Sequence, residues 1–210
     1  MATSLDLGVT AADLRLLRET ADRQRITEKL FLYCRACDRL DLELMETIFW
    51  PEAIAHHGAF SGPAEGFWRG ALFFLSRIEA ALHYASNVVV EVDGDVAYQE
   101  ALFTAWHRVP KGDLAPASFS KSPYVGNMKV NDDEVFDGFP GHDVTKDEDA
   151  IACGRYVNKF ERRGDEWRII HHVCFVEWEY WLPASERSPV ALHNRARRDR
   201  TDPVYQRVFD

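Results

Sequence analysis

Long apolar runs are missing from this sequence. No window approaches the roughly 20 apolar residues that a membrane helix needs, so no membrane partner is expected. Positive charge is scarce too. Lys and Arg number 25 against 34 Asp and Glu, a formal net charge of -9. Nucleic acid is bound through a basic face, so it is not an expected partner. Cysteines stand only at 34, 37, 153 and 174, too thinly spread for a disulfide scaffold. Met1 to Thr10 has neither a basic start nor an apolar core, so a cytoplasmic protein is expected rather than a secreted one. There is no glycine-rich phosphate loop and no G-x-S-x-G nucleophile elbow.

Large flat side chains are plentiful instead. Six Trp and thirteen Phe in 210 residues are enough to pack one domain and also to line an apolar ligand cavity. Along the chain, residues 1–10 read as a flexible leader and 11–182 as a single domain. Leu14, Leu17, Ala21, Ile26, Leu30, Tyr33 and Cys37 recur at helical spacing, a stripe expected to bury. Asp41 opens a second helix, Leu42 to Phe49, and residues 53–57 form a short strand. A third helix is expected from Ala64 to about Leu82. Val88 to Val92 then forms a strand, Asp93-Gly94 a hairpin turn, and Val96 to Val109 the returning strand.

Residues 110–149, rich in proline and acidic groups, have no periodicity and read as a long loop: a lid, a subunit contact or a disordered excursion. A last hairpin runs from Ile151 to Arg162, turns at Gly164-Asp165, and returns from Trp167 to Trp181. Residues 183–210 form a polar extension whose basic segment, Arg195 to Arg200, reads as solvated or subunit-bridging. Strands follow one another rather than alternating with helices, so the class is α+β. The expected shape is a cone: a curved antiparallel sheet with N-terminal helices over its open face.

Two side chains suit proton abstraction. Histidine is the base that is neutral near pH 7, and a carboxylate on its other ring nitrogen fixes the tautomer and stabilises the imidazolium. His83 and Asp38 can fill these roles. A packed histidine beside a helix-capping aspartate accounts for the same residues. Tyr33 could donate a proton or a hydrogen bond, or simply pack the core. Tyr98, Glu100, Leu102, Thr104 and Trp106 share one strand face, taken here as the cavity face, which would make Glu100 functional. Adjacent histidines at 56–57 and 171–172 point to opposite faces of a strand, so no metal is expected. Cys34 and Cys37 read as two buried thiols in a helix.

Three segments then carry a resemblance. Tyr33-Cys34-Arg35-Ala36-Cys37-Asp38 resembles the helix end that supplies an aspartate in the nuclear-transport-factor-2-like superfamily, in its SnoaL-like or scytalone-dehydratase-like branch. Leu82-His83-Tyr84-Ala85-Ser86-Asn87 resembles that branch's histidine segment. Phe160-Glu161-Arg162-Arg163-Gly164-Asp165-Glu166-Trp167-Arg168 resembles its hairpin before the last strand. The resemblance spans about residues 12–181 without the 110–149 loop. It implies a cofactor-independent lyase in which His83 abstracts a proton, supported by Asp38 and aided by Tyr33, and in which a small group leaves: water, formaldehyde or, less in keeping, halide.

Tyr98, Glu100, Trp106, His172 and Trp178 are the candidate substrate contacts. The dehydrochlorinases of this branch carry arginine where this chain has His172, which weighs against chloride release. An aromatic or polycyclic small molecule is implied as substrate, lignin-derived diarylpropanes being one class. A homo-oligomer, a trimer, is implied as well, in keeping with the apolar ending Trp178-Glu179-Tyr180-Trp181. The same fold serves non-catalytic ligand-binding proteins and dioxygenase small subunits, and an isomerase using Glu100 as base is a third possibility.

Overall fold

Thr10 sets the first helix going. Its hydroxyl accepts from the Asp13 amide (3.2 Å), and the Asp13 carboxylate accepts from the Thr10 amide (2.9 Å), a reciprocal capping box. In the computed structural model, which describes residues 8–58, 60–112, 142–185 and 196–206, helix α1 runs unbroken from Ala11 to Arg39. Its first turns stand clear of the core. Leu14 and Leu17, expected to bury, are 59% and 61% exposed, and Ala21 is exposed as well. Burial begins at Asp22, which accepts from the Trp167 indole (2.9 Å) and lies 3.3 Å from the Arg162 guanidinium. Those partners flank the tip of the last hairpin, so the turns before Asp22 overhang the end of the sheet.

Leu40 ends α1 in the left-handed region (φ 54°), and Asp41 caps α2 (Leu42–Glu46) by accepting from the Leu44 amide at 3.1 Å. This helix is shorter than expected, because Phe49 already belongs to strand β1 (Phe49–His57). Pro51 sits inside that strand at a ladder irregularity, where a missing amide costs no hydrogen bond. After β2 (Phe60–Pro63) comes α3, Ala64–Leu75. It too stops early. Ala80, Ala81 and Leu82 fit a helical stripe equally well, yet they pair with Arg108, His107 and Trp106 at the start of β3 (Ala80–Asp93). The ladder of the neighbouring strand decides between two local options of similar propensity.

Strands β4 (Val96–Val109), β5 (Glu148–Arg163) and β6 (Glu166–Pro183) follow, and a short helix α4 (Pro203–Gln206) comes last. Gly94 (φ 61°) and Gly164 (φ 65°) make the two tight hairpin turns expected from the sequence. Residues 113–141 of the long loop lie outside the described residues.

The six strands form one sheet in the order β2-β1-β6-β5-β4-β3. It is mixed rather than wholly antiparallel, since β1 runs parallel to β6. Its edges β2 and β3 do not pair, so the sheet is curved but unclosed. The curvature shows in one residue. Tyr33 of α1 has the rings of Phe49 (β1), Tyr156 (β5) and His172 (β6) at 6.1, 5.5 and 5.4 Å, so three strands wrap one helix position. A register shift between Ser86 and Val89, with Asn87 at φ 52°, reverses the strand's alternation. Ala81, His83 and Ala85 turn inward before it; Val88, Val90 and Val92 do so after it.

Beyond Cys174 the strand β6 loses β1 and pairs with β5 alone. Phe175, Val176, Trp178 and Leu182 are exposed along this free stretch. The basic C-terminal segment is not a free tail. Arg200 reaches Asp41 (3.0 Å) and Glu43 (2.6 Å), and Tyr205 donates to Asp41 at 2.7 Å. Acidic groups at the α1–α2 junction dock it. Among the described residues, no helix is long and apolar enough to cross a membrane.

Candidate active site

The last turns of α1 lay Tyr33 and Cys37 one above the other, four residues apart, with Asp38 beside them. All three are buried, Asp38 at 8% exposure. The Asp38 carboxylate faces the start of β3. Its Oδ1 accepts from the His83 backbone amide at 3.0 Å and meets His83 Nδ1 at 2.8 Å, while Oδ2 lies 3.2 Å from the same amide. A carboxylate only accepts, so Nδ1 carries the ring proton and Nε2 of the neutral ring is left with a lone pair. The two side chains meet: one hydrogen bond holds the ring through Nδ1, and the shared contact of the backbone amide with both carboxylate oxygens holds the strand start beside it.

His83 lines an apolar cavity of about 170 Å³. Tyr33 forms part of its wall, with Phe67 and Phe74 from α3, Phe103 from β4, and Tyr156 from β5. The Phe103 and Tyr156 rings stack at 4.4 Å. Glu179, Tyr180 and Trp181 close one side. No lysine or arginine is among the described lining residues.

Two further histidines enter the wall. The His107 ring stands edge-on to His83, centroids 5.3 Å apart. Burial first, then the charges of His83 and Arg198, holds its pKa well below the usual histidine range. His57 stacks on Phe67 at 4.9 Å, and its Nδ1 is buried with no hydrogen-bond partner among the described residues. Burial, with a smaller contribution from His83, takes its pKa down to about 4. Both rings are therefore neutral at pH 7. The Tyr33 hydroxyl is pushed well above 10 by burial and then by the neighbouring Cys37, so it remains an O–H donor. The Cys34 thiol is pushed up to about 12 by burial and by Asp38, and Cys37 is raised as well, mainly by burial, so neither is a ready nucleophile.

Other expected site residues stand elsewhere. Tyr98 is 53% exposed, and Glu100 reaches Arg155 at 3.7 Å on the outer face. Trp106 shares that face, where Arg108 lies over its ring. The phase of β4 is the reverse of the expected one. Ala97, Gln99, Ala101, Phe103, Ala105 and His107 turn inward. The small alanines leave room for α1 and the cavity, while the bulky residues that looked like a core lie outside. Trp178 is 58% exposed and packs on Tyr180 at 4.5 Å, again outside.

His172 is fully buried and is not among the cavity's lining residues. A polar chain fixes it. The Ile26 carbonyl accepts from the Gln99 amide (3.1 Å), the Gln99 oxygen accepts from the Asn158 amide (2.9 Å), and the Asn158 oxygen is left to accept from His172 Nδ1 (2.7 Å). Burial takes its pKa to about 3. It is a neutral core residue packed against Tyr33 and Phe67.

The histidine pairs do meet across strands, His56 with His171 at 4.9 Å. Even so, no cluster of three or more metal-ligating side chains occurs among the described residues. Sequence reasoning missed His57 and His107. The available signal was phase: His107 alternates with Ala105 and Phe103, and only an arbitrary choice of face left it out.

Comparisons with known proteins agree with this architecture. A family model for the SnoaL-like domain matches residues 18–173. No curated protein matches. Among solved structures, hexachlorocyclohexane dehydrochlorinase LinA-type3 from Novosphingobium barchaimii LL02 is similar, with 16% identity over 82% of this chain and 98% of that one and a TM-score of 0.56. A second structure of LinA has 14% identity over 82% and 97% of the two chains and a TM-score of 0.59. A protein provisionally called a scytalone dehydratase, from Novosphingobium aromaticivorans, has 14% identity over 81% and 92% and a TM-score of 0.56. At such identities the likeness speaks for the fold. With the family match covering most of the sheet and helices, the chain belongs to the SnoaL-like family, in the nuclear-transport-factor-2-like superfamily that its motifs resemble.

Proposed function

We propose that the protein is a cofactor-independent lyase that removes water from a neutral, hydroxylated ring compound. The observation that carries this is the Asp38–His83 pair, its ring held through Nδ1 at the wall of an apolar cavity. His83 Nε2 takes a proton from a carbon next to the one bearing the hydroxyl. The C–H electrons form the new double bond, the C–O bond breaks, and the proton leaves with the hydroxyl as water. Asp38 stabilises the imidazolium while it exists. Tyr33 and His107 supply polar contacts for the leaving oxygen. The neutrality of His107 and His57 matters here, because a charged neighbour would oppose proton uptake by His83.

The lining narrows the substrate class. With no lysine or arginine in the described wall, a carboxylate or phosphate would enter unpaired, which is costly. A departing halide would likewise lack a cationic partner. The volume resembles the roughly 150 Å³ of an apolar cavity that holds benzene. One ring fits the enclosed space. A diarylpropane would leave its second ring outside that space, so a formaldehyde-releasing reaction is less well supported than loss of water. A purely ligand-binding protein has no need for Asp38 and His83 to touch, so the contact favours the enzyme.

The test is incubation with neutral hydroxylated cyclic and aromatic compounds, following the ultraviolet band of a new conjugated double bond. Conversion of a neutral compound, with its carboxylated analogue left untouched, is expected. Turnover confined to anionic substrates contradicts the reading.

We further place the protein in the cytoplasm as a homo-trimer. Support for assembly comes from the outer sheet face, where Tyr84, Val89, Tyr98, Leu102, Phe175 and Trp178 are exposed. Light scattering at micromolar concentration should give about three times the 24.1 kDa chain mass; a monomer's mass rejects the assembly.

A further inference from the structure

Arg198 lies far along the chain from the residues of the cavity, yet its side chain ends directly behind the pair. Its Nε donates to the Asp38 backbone carbonyl at 3.2 Å. Its Nη1 donates to the carbonyls of Leu75 (2.7 Å) and Ile78 (2.9 Å). These three carbonyls belong to the end of α1, the end of α3 and the turn that leads into β3. Helix ends leave carbonyls without intrahelical partners, and a guanidinium can satisfy several at once. One planar fork therefore ties the helix that carries Asp38 to the segment that delivers His83.

Charge adds to the geometry. Burial lowers the Arg198 pKa, and the attraction of Asp38 opposes that shift. The same guanidinium helps keep His107 neutral. Neighbouring groups are Cys37, Arg39 and Asp38. Its Nη2 is buried with no hydrogen-bond partner among the described residues. Surface attachment of the C-terminal segment would not require a buried cation. Arg200, bonded to Asp41 and Glu43, already provides that attachment.

We infer that Arg198 is a positioning residue for the proton-abstracting pair, supplied by the C-terminal segment and acting through the Asp38 carbonyl. The inference rests on the proposed role of Asp38 and His83 as the acting pair. Without Arg198, the end of α1 and the start of β3 lose their common anchor. The hydrogen bond between Asp38 and His83 Nδ1 then forms only part of the time. A misplacement near 1 Å costs about 10²-fold in rate.

The experiment uses the full chain carrying Arg198→Met, Arg198→Lys or Arg200→Met. The first readout needs no substrate: the far-downfield proton NMR signal of His83 Nδ1–H, assigned by its loss in His83→Gln. We expect a sharp signal in the wild type and in Arg200→Met, a broadened or absent one in Arg198→Met, and partial recovery in Arg198→Lys. In the dehydration assay, Arg198→Met should lower kcat about 10- to 100-fold with KM little changed, and added guanidinium should restore part of the rate.

A sharp signal in Arg198→Met overturns the inference and leaves the general-base reading intact. So does an equal loss in Arg200→Met, which would reduce Arg198 to one more attachment of the segment. A wild-type protein with no such signal overturns the pair itself. Should Arg198→Met fail to fold, Arg198→Lys decides alone: a wild-type signal there, with unchanged kcat, shows that the fork geometry is not needed.

Discussion

Replacing His83 by alanine should lower kcat by about 10²- to 10⁴-fold and leave KM almost unchanged. Among the described lining residues, His83 is the one whose Nδ1 is held by a carboxylate, which leaves Nε2 of the neutral ring to accept a proton. His107 and His57 stand nearby, but burial depresses both, His57 to about 4, so each is a poorer base than an ordinary imidazole. Glu100, the other base considered, faces Arg155 outside the cavity. Glu179, the one carboxylate among the described lining residues, is solvent-exposed and a weaker candidate than the imidazole that Asp38 holds. On the proposed reading the apolar lining of Phe67, Phe74 and Phe103 carries the substrate binding and survives the change, so the loss should fall on kcat. Steady-state rates with the compound found by screening supply the check. Activity within about threefold of wild type would assign the proton to another group.

Asp38→Asn should cost about 10²-fold, less than the loss of His83, and leave measurable turnover. Asparagine keeps the shape but not the charge. In the usual triad an asparagine can turn its amide toward the imidazole and impose the wrong tautomer. Here the backbone amide of His83 also needs an acceptor from the same side chain. That second donor keeps the asparagine oxygen facing His83, so Nδ1 remains the protonated nitrogen. What disappears is the negative charge that stabilises the imidazolium, worth roughly 2–3 kcal/mol at this fold-change. The double variant should be no slower than His83→Ala, because the aspartate acts only through the histidine. Additive losses would mean that Asp38 acts independently of His83.

How much of this was legible depended on the kind of signal. Asp93-Gly94 and Gly164-Asp165 announced their hairpins because a two-residue turn needs a residue at positive φ, and the structure has Gly94 and Gly164 there. The α+β class and the meeting of Asp38 with His83 followed from segments with a recognisable pattern. The face of β4 did not. Alternation gives two faces but not which one is inside, and hydrophobicity pointed the wrong way because the inner face carries small residues, Ala97 and Ala101 in the core and Ala105 at the cavity.

The shift between Ser86 and Val89 was also hidden, since one extra residue reverses a strand's phase without any strong compositional mark. His172 looked functional because it stands where the branch's dehydrochlorinases carry arginine, but its role is set by Asn158 and Gln99 on two other strands. Arg198 was invisible for the same reason: its partners are backbone carbonyls from residues 38, 75 and 78, which no side-chain motif reports.

The most direct test of the account is solvent-deuterium exchange at the carbon beside the hydroxyl of a converted compound, followed by proton NMR in heavy water. Proton removal by His83 predicts deuterium in recovered substrate or in the back-reaction product with the wild-type protein, a large slowing with Asp38→Asn, and none above background with His83→Gln. Exchange proceeding at the wild-type rate in His83→Gln would contradict the central claim.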